Sequence, residues 1–595
     1  MSTDTLPRSA TDTATADQPM TGAEIFVRAL EAEGVDLVFG HPGGAVIKIY
    51  DAMARLQPRF EHVLVRHEQG GTHAAEGYAK ATGRVGTVLV TSGPGATNTV
   101  TGIADAYLDS VPIVVFTGQV PTHLIGNDSF QETDTIGITR SITKHNFLVR
   151  DVRELAPTIK KAYHLARTGR PGPVVVDIPK DVQMAEAPFH YPDEVDMPGY
   201  RVVGEGDPAK IERAARMIAA SERPLLYVGG GTISANAPEL LTAFARKTNI
   251  PVTTTLHGLG AFPETDPLAL GMLGMHGLWH ANQAVQHCDL LIAVGARFDD
   301  RVTGKIDAWA PHAKVIHVDI DPSCISKNVY ADCAILGDVK AVLEQLTPLV
   351  APKDTSAWLR QIDAWREECP LTYKQDDGRI RPQMVIERLW EKTRGEAVVV
   401  SDVGQHQMWV AQFYKFAQTR SHITSGGLGT MGFCLPAAMG AAFGLRKQGR
   451  DLPVLSINGD GGFVMNAQEL SVAAAHGLPL KIAVMNNNFL GMVRQWQRLF
   501  HDSRFSHTDL TATNPDFVKL AEAHHCVGLR AEHPDEVDAV IERAWEVTDR
   551  PVVMEFRVPK EEMVFPMIPA GAATDDMITE MFDVENEREG EGEKG

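Results

Sequence analysis

Cysteine is scarce and poorly placed for a metal or a disulfide framework. The six cysteines, Cys288, Cys324, Cys333, Cys369, Cys434 and Cys526, include no CxxC pair. That argues against a zinc site and a stapled secreted domain, and for reduced thiols in a cytoplasmic chain. No run of about 18 apolar residues occurs, so no membrane-spanning helix is expected. The first twenty residues lack the apolar core of a secretory signal and the arginines of a transit peptide. Their Ser, Thr, Asp and Ala read as a disordered tail, as does the Glu- and Gly-rich stretch 585–595. Positive charge is in deficit: 56 Lys and Arg against 76 Asp and Glu leave a net −20. Nucleic acid and anionic membrane are therefore disfavoured as main partners. What is present, 595 residues with 44% hydrophobic and 22% charged, suits a soluble enzyme of several domains.

Short β-branched runs recur at 87–91, 113–117, 174–178, 290–294, 315–320, 397–401, 454–457 and 481–485. Each is bounded by Gly, Pro, Asp or Asn, and helical-period segments separate most of them. Parallel strands covered by helices on both faces read this way, so the class is α/β, with three doubly wound parallel-sheet domains. Linker-like stretches at 187–207 and 351–378, the second with a candidate helix over 358–365, divide the chain. The expected domains are 21–187, 205–350 and 379–565, with tails at 1–20 and 566–595. Residues 170–181 (RPGPVVVDIPKD) are echoed by residues 550–561 (RPVVMEFRVPKE), each as the last strand of its domain. The echo is either chance or a sign that the first and third domains share one fold.

The strongest chemical signal lies in the third domain. An apolar run ends in Gly459-Asp460-Gly461-Gly462, and the next strand ends in Asn486-Asn487-Asn488. Between them a helix is expected, capped by Asn466 with Glu469 three residues on and closed by Gly477. Glycines let a backbone approach phosphate, a helix start offers free amides, and Asp and Asn oxygens suit Mg²⁺. Both motifs fall at carboxyl ends of strands, where open α/β sheets bind ligands. A GDG triplet alone is commonly just a turn; the strand-helix-strand context and the second Asn cluster raise its weight.

This pairing resembles the thiamine-diphosphate enzyme signature. The resemblance implies that Asp460 and Asn487 ligate Mg²⁺ and that Phe489 adds a backbone carbonyl. It also implies a carboxyl group on the cofactor's pyrimidine ring, best placed in a dry pocket. Glu68, in Arg66-His67-Glu68-Gln69-Gly70-Gly71, would by itself serve equally well as a surface cap; the resemblance makes it that carboxylate. Ser425-Gly426-Gly427-Leu428-Gly429-Thr430-Met431-Gly432 resembles the stretch that props the cofactor rings, with Gly429 beside it and Met431 as the prop, although a methionine also serves simply as core. Val403-Gly404-Gln405-His406 resembles the diphosphate-contacting loop.

From about residue 21 to about 580 the sequence is similar to the acetolactate synthase family. The specific blocks are Phe130-Gln131-Glu132-Thr133, residues 141–146 (SITKHN), 297–305 (RFDDRVTGK), 491–496 (GMVRQW) and 565–571 (FPMIPAG). The resemblance implies decarboxylation of pyruvate and ligation to a second pyruvate or to 2-oxobutyrate, opening branched-chain amino acid synthesis. It places Arg301 and Trp496 at the acceptor site, where a guanidinium suits a carboxylate and an indole shapes a pocket; a surface ion pair and a core tryptophan are the plainer readings. Gln131 and Lys180 match residues near the reaction chamber. The middle domain resembles an FAD-binding domain. Gly229-Gly230-Gly231 follows a strand there, and Arg170, Thr255, Leu256, Met275, His276, Arg297, Asp319 and Asp338 are carried over with it. The flavin would be a retained structural cofactor.

Two positions depart from the pattern: His41 stands where Tyr is usual, and Phe489 where His is frequent. A backbone ligand tolerates the second change. Glyoxylate carboligases lack an acid at the Glu68 position, the acceptor-site blocks disfavour a pyruvate oxidase, and the 297–305 block disfavours the FAD-free catabolic synthases. A non-catalytic scaffold that kept the fold is disfavoured by intact Glu68, Asp460 and Asn487. The resemblance also implies a homodimer or tetramer, with the active site between chains, and a separate small regulatory subunit.

Overall fold

A computed structural model describes residues 19–375 and 377–580. Its core is three six-stranded, wholly parallel sheets. The first runs, edge to edge, Glu61–Leu64, Leu37–His41, Gly86–Val90, Ile113–Gln119, Val174–Pro179, His145–Leu148. The second runs Ala269–Met272, Val252–Thr254, Pro224–Val228, Leu290–Val294, Lys314–Asp319, Cys333–Leu336. The third runs His422–Thr424, Val398–Ser401, Val454–Gly459, Lys481–Asn486, Val552–Arg557, Val527–Ala531. The central strands are buried along nearly their whole length, which is why they read as unbroken apolar runs.

In chain order, the first and third sheets share one spatial sequence: second, first, third, fourth, sixth, fifth. The echoed segments each contribute that sixth strand, Val174–Pro179 and Val552–Arg557. Matched topology accounts for the echo better than chance.

The first and third domains meet through two helices, Glu68–Thr82 and Cys434–Lys447. Their backbones touch at two glycines. A Cβ on Gly77 would lie 1.9 Å from Ala437 O, and one on Gly440 would lie 1.8 Å from Ala74 O. One apolar cluster, including Phe39, Tyr78, Phe433 and Phe443, spans both domains.

Several local expectations are corrected. Pro19 and Met20, expected in the N-terminal tail, join Thr21 in a strand antiparallel to Glu186–Pro188; the tail before them lies outside the described residues. The 351–378 stretch holds a 13-residue helix, Ser356–Glu368, longer than the one anticipated. It docks on the second domain through Trp358, whose Nε1 donates to Pro224 O at 3.2 Å, and through Ile362. Residues 566–580, expected as tail, are packed: Met567 is fully buried, exchanges backbone hydrogen bonds with Ile578, and Ile568 N donates to Met275 O. Asn466 caps no helix. The helix begins at once with Asp460–Phe463, and Asn466 sits in a kink with its Nδ2 donating to Gly432 O. The 585–595 stretch lies outside the described residues.

Candidate active site

The strand Val454–Gly459 delivers Asp460 to a helix start at the carboxyl edge of the third sheet. The neighbouring strand Lys481–Asn486 delivers Asn487 and Phe489 to the same edge. Between them opens a cavity lined by Val403, Gly404, Gln405, His406, Gly459, Asp460, Gly461, Gly462, Met431, Asn487 and Phe489, with Trp409, Met485, Leu490, Gly491, Met492, Val493 and Val558 completing the wall. The structure thus brings together nearly all third-domain positions singled out from the sequence. Gly429 lies two residues from Met431, outside that wall.

The wall has a definite polarity. Gly404 adopts φ 148°, a conformation reserved for glycine, and starts the helix Gln405–Phe413. His406 is buried, and burial holds its ring down to about 3, so it is neutral; its Nε2 accepts from Gly459 N at 3.2 Å. Gln405 Nε2 donates to Gln495 Oε1 at 2.9 Å, while Gln405 Oε1 is buried without a partner. Asp460 is 1% exposed, and burial pushes its carboxyl up to about 6. Asn487 Oδ1 accepts from Phe489 N at 2.9 Å and so fixes the turn. Met431 closes the other side, its Cε 3.7 Å from where a Cβ on Gly461 would stand.

Beneath the cavity lies Asp402, a residue the sequence reading passed over. It is fully buried, its carboxylate accepts from Gly432 N at 2.9 Å, and burial raises it to about 6. A Cβ on Gly462 would lie 1.9 Å from its Oδ2. Asp402 therefore ties the loop carrying Met431 to the turn carrying Asp460. Its position directly before Val403 was the one available signal.

Glu68 opens the helix Glu68–Thr82 at the carboxyl edge of the first sheet. It is 9% exposed, and Asn98 Nδ2, also unanticipated, donates to its Oε2 at 2.9 Å. The turn at residues 92–95 joins Glu68 to Gln131. A Cβ on Gly95 would lie 3.5 Å from Glu68 Oε1, and one on Gly93 would lie 2.7 Å from Gln131 O. Gln131 itself has φ 59°. Lys180 is exposed at the start of the short helix after Val174–Pro179, on the same edge. None of these three lines the third-domain cavity of the same chain.

Arg301 and Trp496 lie by one methionine-rich cluster. Arg301 Nη1 lies 4.0 Å from Met275 Sδ, and Met275, Trp496 and Phe565 all pack against the buried cluster of Leu499, Met563 and Met567. Trp496 belongs to the helix Gly491–Phe500, whose first residues line the cavity.

The middle-domain positions gather at the carboxyl edge of the second sheet. The chain turns back there between Pro224–Val228 and Leu290–Val294, a switch point suited to ligands. Gly229 and Gly231 serve close packing on Gly295: a Cβ on either would lie within 3 Å of its backbone. Thr255 Oγ1 accepts from Gly258 N, and Leu256 O is hydrogen-bonded to His422 Nδ1. His276 is buried and held down to about 4 by burial, with Nδ1 3.4 Å from Pro566 O. Arg297 pairs with Asp299 at 2.6 Å. Asp319 accepts from Asp321 N, and Arg170, reaching across from the first domain, pairs with Asp321 at 3.1 Å. Asp338 caps the helix Val339–Leu346. Thr254 Oγ1 is buried without a partner on this edge.

Models of the thiamine pyrophosphate enzyme family match all three domains: the N-terminal TPP-binding domain over residues 20–138, the central domain over 211–346 and the C-terminal TPP-binding domain over 402–556. The chain is 50% identical over 570 residues to the acetolactate synthase large subunit of Mycobacterium tuberculosis, covering 94% of this chain and 91% of that one. It is 47% identical over 569 residues to the isozyme 3 large subunit of Escherichia coli, covering 94% and 98%. To the chloroplastic acetolactate synthase 2 of Nicotiana tabacum it is 46% identical over 578 residues, covering 95% and 86%. The chain belongs to the acetolactate synthase family of thiamine pyrophosphate enzymes.

Proposed function

We propose that this chain is the catalytic subunit of an acetolactate synthase, joining two pyruvates into 2-acetolactate or pyruvate and 2-oxobutyrate into 2-aceto-2-hydroxybutyrate, the first common step of branched-chain amino acid synthesis. The carrying observation is the cavity that gathers Asp460, Asn487, Phe489, His406 and Met431 at one sheet edge, in a chain of this family. Bound thiamine diphosphate supplies the electron sink for decarboxylation.

The donor set fits Mg²⁺. A buried carboxylate, an amide oxygen and a carbonyl oxygen are hard ligands, and a buried Asp460 whose side-chain partner is a neutral amide gains from a counter-cation. Asp460, Asn487 and the Phe489 carbonyl would hold the ion, with the glycine turn and the helix start facing the diphosphate. Met431 would pack against the rings of the bound cofactor, and Glu68 would hold a proton at its pyrimidine. Glu68 stands apart from its own chain's cavity, which supports a site built by two chains: Glu68, Gln131 and Lys180 from one, the cavity from the other. The assembly is then a homodimer or a tetramer of such pairs. Arg301 would hold the acceptor carboxylate, and Trp496 would shape the pocket for its side chain.

The middle domain's carboxyl edge suits an FAD with a structural role: a glycine turn, Asp319 and the unpartnered Thr254 hydroxyl face one switch point. No step of the carboligation requires its redox chemistry. Relatives are named large subunits, which supports a small regulatory partner here. No helix among the described residues is long and apolar enough to cross a membrane, and we place the activity in the cytoplasm. The test is incubation with pyruvate, Mg²⁺ and thiamine diphosphate, with and without FAD, followed by detection of acetoin after acid treatment. Acetoin is expected; pyruvate left unconsumed by the assembled protein rejects the reading.

A further inference from the structure

Asp460 has two carboxylate oxygens; backbone amides of Gly461 and Asn487 approach the carboxylate, and one oxygen also takes a side-chain donor. Asn514 Nδ2 donates to Asp460 Oδ2 at 2.7 Å and to Asn488 Oδ1 at 3.1 Å. Both partners are acceptors, so the two hydrogens of one amide nitrogen are spent on the two segments that carry the metal-ligand positions. The amide orientation follows from that network.

The segment leading to Asn514 is held against the ligand turn. Leu490 N donates to Thr508 O at 2.9 Å, Leu510 N donates to Asn488 O at 2.8 Å, and Phe489 bridges antiparallel to Asp509. Asn488 adopts φ 59°, a left-handed conformation that asparagine tolerates better than most residues. On the far side, Asp516 caps the helix Phe517–Ala523 and pairs with Arg530 at 2.8 Å. Asn514 is thus fixed from both directions.

We propose that Asn514 is a positioning residue that occupies Oδ2 of Asp460 and thereby makes the site prefer Mg²⁺ to Ca²⁺. The inference rests on the reading of Asp460 and Asn487 as metal ligands. Mg²⁺ demands a near-ideal octahedron, whereas Ca²⁺ takes more ligands, in looser geometry, and accepts both oxygens of one carboxylate. An N–H committed to Oδ2 disfavours the two-oxygen mode. Without that donor the backbone amides of Gly461 and Asn487 still hold the carboxylate, but Oδ2 is released to approach a larger cation. Hydrogen-bond partners of metal ligands are typically worth about 10–100-fold in metal affinity.

The experiment uses the full-length chain with thiamine diphosphate. Mn²⁺ binding is followed by electron paramagnetic resonance, with Mg²⁺ or Ca²⁺ as competitor. Asn514→Leu keeps the branched shape and removes the donor; Asn514→Ala, which adds no bulk, is the second variant, and far-UV circular dichroism checks the fold of both. The expected result is an Mg²⁺ affinity about 10–100-fold weaker with a smaller loss for Ca²⁺, so that the Mg²⁺-to-Ca²⁺ preference falls. A merely structural role would weaken both ions alike. An unchanged preference in a folded variant overturns the inference. Asp460→Asn separates the two readings. If that variant binds Mn²⁺ as wild type does, the metal site itself is misassigned. If it loses Mn²⁺ while the Asn514 variants keep the wild-type preference, only the role of Asn514 fails.

Discussion

Glu469, in the third domain, accepts a 3.1 Å hydrogen bond at Oε1 from the backbone amide of His67, the residue before Glu68. The same oxygen accepts from Arg66 N at 3.0 Å. The chain segment that follows the Asp460 turn therefore fixes the backbone that presents Glu68, within one chain. Glu469 is fully buried, and burial raises its carboxyl from 4.5 to about 7.

That shift has a definite sign. Between pH 4.5 and 7 the folded chain holds a proton at Glu469 that the unfolded chain releases, so stability falls as pH rises through that window. The contribution is at most about 3 kcal/mol. Glu469→Gln keeps an acceptor oxygen and removes the titration. The melting temperature of the variant should fall less than that of wild type between pH 5 and pH 8. Parallel pH profiles for the two proteins would remove Glu469 from this role.

The helix pair that joins the domains should not tolerate a methyl group. Gly440→Ala places a Cβ 1.8 Å from Ala74 O, and the helices must separate. The expected loss is about 1–3 kcal/mol or more, read as a lower denaturation midpoint. An unchanged midpoint would mean that the helices are not packed as described.

Much of this was legible in the sequence, and the reason is burial. Strands covered on both faces are continuous apolar runs, so Leu290–Val294 is located to the residue and the other seven runs to within one or two, whereas shorter or edge strands such as Val252–Thr254 and His422–Thr424 give no such run. The glycine turn and the Asn cluster were legible because phosphate and metal chemistry restrict residue choice at strand ends. Contacts between residues distant in sequence were not. Nothing in the spacing pairs Asn514 with Asp460, or Glu469 with His67. The cap assigned to Asn466 failed because a local pattern was read without Gly432, whose carbonyl claims that side chain. Residues 566–580 read as a tail because they form no helix or strand of useful length, yet backbone pairing of Met567 with Ile578 and burial of Met567 hold them in place.

Glu68→Gln should fold and bind cofactor but lose about 10²–10⁴-fold in kcat, the usual scale for a positioned proton-transfer group. Asn98 remains able to hold the side chain in place. Wild-type turnover in this variant would remove Glu68 from the chemistry.

Trp496→Leu should change the choice of acceptor more than the consumption of pyruvate. In competition between pyruvate and 2-oxobutyrate, the product ratio should shift towards 2-acetolactate, by no more than about 10–200-fold, the scale set by one methylene of contact. An unchanged ratio would place Trp496 in the core alone.

The most direct test of the two-chain site is complementation. Glu68→Gln and Asp460→Asn chains are each expected to be inactive alone. Co-assembled at equal amounts, half of the dimers are mixed, and each mixed dimer carries one site built from two unaltered halves. Activity should recover to about one quarter of wild type. If mixed dimers form, as verified by differential tagging, and remain as inactive as either parent, the site does not lie between chains and the account is wrong.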